Sequence, residues 1–149
     1  MVLLVIAAVL FVWNGGSLPS PLPQGSSSPT PTPTPSTSSG QADNMIRVSS
    51  PKPGEAIQSP VHIEGEARGN WYFEASFPGR VLDANGKILG LMPIQAQGDW
   101  MTTEFVPFKA DLPFSTPATN TGFVVLQKDN PSGLPQNEDE RRIPIKFGP

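Results

Sequence analysis

An all-β fold, a sandwich of seven to eight short antiparallel strands, is what the sequence predicts, and three observations carry the prediction. From Met45 onward the apolar residues recur with a period of two rather than 3.6. Clusters of Pro, Gly, Asn and Asp interrupt these runs at short intervals. No stretch of the body carries a sustained helical pattern.

Each element follows from its own residues. Ile46 and Val48 flank Arg47 at the start of the body. Val61, Ile63, Gly65 and Ala67 alternate with His62, Glu64, Glu66 and Arg68. Trp71, Phe73, Ala75 and Phe77 then line one face of a predicted strand, opposite Tyr72, Glu74 and Ser76, with Trp71 available to fill the core. Asn85-Gly86 predicts a two-residue type I′ hairpin, which needs φ > 0 at both central positions and sets Leu82 across from Leu89. Val106, Phe108, Ala110, Leu112 and Phe114 share a face, while Pro107 and Pro113 project from the other and mark an edge strand. Phe123 to Leu126 is apolar on both faces, as in a central strand covered on two sides. Ile143, Ile145 and Phe147 alternate with Pro144 and Lys146. Pro51 to Gly54, Arg68 to Asn70, Gln97 to Asp99 and Asn130 to Gly133 supply the turns. This many short strands in one body point to a sandwich of the immunoglobulin type, without the disulfide of antibody domains.

The 149 residues divide sharply in charge: residues 1–42 carry none, and all 10 basic and 13 acidic side chains follow. Met1 to Trp13 is an unbroken apolar run. As a helix it rises about 20 Å, short of a bilayer core of about 30 Å, so it reads as a signal or anchor segment whose basic flank would lie upstream. Residues 14–44 read as a disordered linker, since 23 of the 30 positions from Asn14 to Asp43 are Ser, Pro, Thr or Gly. Such a segment has little apolar surface with which to offset its ordering entropy, and its Pro-Thr alternation favours an extended polyproline conformation. Residues 45–149 form the predicted domain. The layout is that of a membrane-tethered, extracytoplasmic module, expected to act as a monomer. A net charge of −3 argues against nucleic acid as partner. With no Cys there is no disulfide, thiolate zinc site, thiol nucleophile or lipid-modified cysteine.

Four stretches, in order, carry a family resemblance: Trp71 to Pro78, Gly98 to Met101, Phe105 to Phe108, and Lys128 to Pro135. Together they resemble the second Gmad-type immunoglobulin-like domain of bacterial spore germination, over about Ile46 to Phe147. The resemblance implies a bacterial, extracytoplasmic immunoglobulin-like domain and brings no catalytic residues with it. No companion germination domain accompanies it in this chain.

Candidate chemistry is sparse. His62 is the single histidine, expected to face solvent, and no G-x-S-x-G elbow occurs. Glu74 and Asp99 are the best carboxylate pair for a small secreted hydrolase, the rival reading, although Asp99 equally suits a turn. Glu138-Asp139-Glu140 lacks calcium-loop spacing and reads as a solvated loop. No catalytic residue, metal or cofactor is therefore expected. Asp99, Trp100, Tyr72 and Glu74 form the candidate binding cluster, in which rings beside an acid could stack on a glycan or grip an envelope protein. The predicted function is binding or structural support in the cell envelope.

Overall fold

The structure is a computed structural model in which residues 44–148 are described. The apolar segment Met1 to Trp13 and most of the predicted linker lie outside the described residues. Among the described residues, no helix is long and apolar enough to cross a membrane.

Among the described residues, eight strands build two sheets: β1 (Ile46–Ser50), β2 (Ala56–Ile57), β3 (Val61–Arg68), β4 (Ser76–Asp83), β5 (Ile88–Gln95), β6 (Phe105–Leu112), β7 (Thr121–Gln127) and β8 (Glu140–Phe147). One sheet has the order β1-β3-β6 and the other β2-β8-β7-β4-β5. All pairs are antiparallel except β2 with β8, which run parallel and depart from the all-antiparallel expectation. The period-two residues meet between the sheets. Ile46, Ile63, Ala67, Phe77, Val81, Phe108, Leu112, Val124, Leu126, Ile143 and Ile145 are all buried in one cluster. Phe77 and Phe108 meet edge to face at 5.2 Å, a geometry that favours the ring quadrupoles. β6 is an edge strand with Pro107 exposed, where its composition places it, and β7 is central in its sheet. The cover expected on both faces of β7 comes from the other sheet on the inner face alone, and Phe123 on the outer face stays half-buried beneath Arg142.

Two predicted elements differ. The strand expected over Trp71 to Phe77 does not form. Gly69–Trp71 is a 3-10 turn, and Glu74 and Ala75 adopt φ of 51° and 62° in a tight turn closed by the Phe73–Ser76 pair. Alternation cannot continue through two left-handed residues, so Phe73 emerges exposed while Trp71 and Tyr72 both stay buried. The hairpin at Asn85-Gly86 has three loop residues rather than two. Only Gly86 has positive φ, and Leu82 pairs with Ile88 instead of Leu89. Buried Asp83 explains the choice: its Oδ1 accepts hydrogen bonds from the backbone N–H of Asn85 and of Lys87, each at 2.9 Å. A side chain that satisfies two loop donors makes the longer turn the better-bonded one.

The outer faces of the two sheets differ in chemistry. On the three-stranded sheet the charges pair across strands, with Arg47 to Glu66 at 2.9 Å and His62 Nδ1 to Asp111 at 2.7 Å. Arg47 and Arg68 also lie over the Phe105 ring at 4.0 and 4.5 Å. On the five-stranded sheet, Arg80, Leu82, Phe123, Val125, Arg142 and Pro144 share the outer face with the exposed side chains of Ile88 and Leu91 on β5.

Candidate functional site

Registers Ile46–Ala67, Arg68–Phe105, Ser76–Gln95 and Gln127–Glu140 bring three long connections to one end of the sandwich. They are residues 69–75, 96–104 and 128–139, and Asn44 enters at the same end. Backbone hydrogen bonds lock them together. Ala96 N–H donates to the Ala75 carbonyl (2.8 Å), Gly69 N–H to Glu104 (3.3 Å), and Asp129 N–H to Trp71 (3.0 Å). Gly69 is fixed by close approach, since a Cβ there would collide with the backbone carbonyl oxygens of Thr102 and Trp100. Sequence reasoning gave this glycine only a turn role.

The four candidate binding residues separate on this scaffold. Asp99 is exposed, and its Oδ1 accepts the Met101 N–H at 3.1 Å, which organises the turn. Trp100 is half-buried and packs on the edge of the core. Glu74 projects from the left-handed turn into solvent. Tyr72 belongs to the core and leaves the cluster: it is buried, meets Phe77 at 5.2 Å, and donates its hydroxyl to the Val106 carbonyl at 2.8 Å. Burial raises its phenol pKa far above the ordinary value of 10.0, opposed by a weaker backbone contact with Ala67. The loss of alternation after Trp71 causes this exchange, and no composition signal forecast it.

Exposed apolar side chains supply what the sequence reading missed. Among the described residues the large ones are Met101 (77% exposed), Leu91 (61%), Ile88 (51%), Leu134 (48%) and Phe73 (42%). Three of the five, Met101, Leu134 and Phe73, stand on the three converging loops. These loops also carry Glu74, Asp99, Glu104, Asp129, Glu138 and Asp139 against the one cation Lys128. Glu138-Asp139-Glu140 does not form a cage. Asp139 Oδ1 accepts the Glu140 N–H, and Glu140 turns to Arg142 (3.4 Å) and Arg80 (3.8 Å). Among the described residues no group of three or more His, Asp or Glu is placed to hold a metal ion.

A recess of about 250 Å³ opens at the opposite end beside Phe114 and Phe147, and others of about 330 and 190 Å³ lie along β1 and β2. Neither Glu74 nor Asp99 lines any of the three. At the loop end, then, carboxylates and the exposed Phe73, Met101 and Leu134 stand on connections joined by backbone hydrogen bonds.

No curated protein and no solved structure matches the chain. A family profile, the immunoglobulin-like domain of bacterial spore germination, matches residues 45–134. The match begins one residue before β1 and stops before β8, short of the Phe147 limit expected from the motifs. Two packed sheets with this strand order and that profile agree, and the chain belongs to the family of immunoglobulin-like domains of bacterial spore germination.

Proposed function

We propose that this chain is a non-catalytic module of the bacterial cell envelope, tethered by its N-terminal segment, that binds a partner through the loop end of its sandwich. One observation carries the reading: three connections are bonded into a single surface on which Phe73, Met101 and Leu134 stay exposed. Exposed apolar groups rimmed by polar ones are a mark of interaction sites. Asp99 supports it by capping its own turn, as a positioning group does and a general base need not.

Full-length chain used as bait in bacterial envelope extract should retain a partner that Met101→Asp and Trp100→Ala lose and His62→Ala keeps. Equal retention by all four proteins would move binding away from this end. Turnover of a glycan, peptide or ester that is abolished by Glu74→Gln or Asp99→Asn would replace the reading with a hydrolase.

A further inference from the structure

The five exposed large apolar residues occupy two places, and the charge around those places is opposite. Three lie on the loop end, among six carboxylates, the Lys128 ammonium and the Arg68 guanidinium, which donates to the Asn44 and Thr103 carbonyls there. The other two, Ile88 and Leu91, lie on the outer face of β5, next to Leu82 and Phe123. That face carries Arg80, Arg142 and Lys146, with Lys87 at its hairpin rim and Glu140 as its one acid. Glu140 is already shared between Arg80 and Arg142. On the three-stranded sheet, by contrast, Arg47, Arg68 and Lys109 equal Glu64, Glu66 and Asp111 in number.

We propose that the outer face of the five-stranded sheet is a docking surface for the loop end of a second copy of this chain. The inference rests on the reading of the loop end as a binding surface, and it names that surface's partner. Each side supplies apolar side chains for the centre of the contact and charge of one sign for its rim, the arrangement that steers and registers an interface. It departs from the monomer expected from the sequence. Because the two patches lie at different places on one molecule, the contact is heterologous and leaves a free face and a free end for further copies.

Charge swaps test it. In sedimentation velocity of the full chain in neutral detergent at about 0.15 M salt, the wild type should associate as its concentration rises. It should dissociate near 1 M salt, where the screening length is about 3 Å. Lys87→Glu with Lys146→Glu reverses the face, and Glu74→Lys with Glu138→Lys reverses the loop end; all four positions are exposed. Either variant alone should lose at least about tenfold in association constant, and mixing the two should restore association. Leu91→Gln, also exposed, should weaken self-association without lowering the melting temperature.

A wild type that stays monomeric would overturn the proposal, as would association that persists in both reversed variants or a mixture that fails to recover. So would a monomer whose face binds anionic phospholipid vesicles and loses them on Lys87→Glu with Lys146→Glu, since the face would then serve a membrane. Envelope capture lost in Met101→Asp while the wild type stays monomeric would remove self-docking and leave the loop-end reading standing.

Discussion

Tyr72 is the one tyrosine of the chain, and its hydroxyl lies in the core against the Val106 carbonyl. Tyr72→Phe keeps the ring and removes that hydrogen bond, so it should cost about 1 kcal/mol in urea unfolding. Its raised folded-state pKa has a direction in pH. The neutral phenol's contribution is complete below about pH 10, the unfolded value, and is lost as pH climbs toward the folded one. Above about pH 10 the wild type should therefore lose stability faster than Tyr72→Phe, and phenolate absorbance should appear together with unfolding. At Gly69 any Cβ meets two carbonyl oxygens, so Gly69→Ala should cost about 1–3 kcal/mol and loosen the loop end. Neither role was legible from sequence. Period-two alternation assigned Tyr72 to the surface because it cannot register the two left-handed residues that follow, and close approach to a glycine belongs to the tertiary structure.

Among the elements, strands were the most legible, because a half-buried strand writes its buried face into every second residue. In β6 Phe108 is buried and Lys109 exposed, so Phe108→Asp should abolish the cooperative thermal transition. An unpaired buried charge costs several kcal/mol, comparable with the whole stability of a domain this size. Lys109→Asp should shift unfolding by about 0.5 kcal/mol or less. Equal shifts in the two variants would mean that the register is displaced by one residue. The hairpin was legible in place and misread in length. Asn-Gly identified the turn, but Asp83, two residues upstream, chose its form by accepting two loop N–H groups. Asp83→Ala leaves both donors without that acceptor and should cost about 1–3 kcal/mol, measured by urea unfolding.

At the scale of the molecule, the chain from Met45 holds the apolar side chains of the buried cluster, and β8 supplies Ile143 and Ile145 to it. A protein of residues 45–149 should therefore fold alone, with a β-type circular dichroism spectrum and one cooperative melt. Ending it at Leu134, where the family match stops, should leave it unfolded, since β7 would lose the partner that pairs with seven of its residues. Charge placement was half legible. The acidic excess is visible in composition, but its gathering at one end depends on which loops the strand order brings together. For the same reason the exposed Phe73, Met101 and Leu134, far apart in sequence, could not be grouped beforehand.

The parallel pairing of β2 with β8 gives the domain a mechanical direction. Asn44 enters at one end of the sandwich, and the chain runs out through Gly148 at the other. Tension between those points pulls along the strands rather than across them. The bonds from Gly54 to Pro144, Lys146 to Glu55 and Gly148 to Ile57, at 2.7, 2.8 and 2.9 Å, then share the load in shear and must stretch together before β8 can slide. Pulled at its two ends, the sandwich should yield abruptly at one peak force, and Ala56→Pro or Ile57→Pro should lower that force by disturbing the clamp.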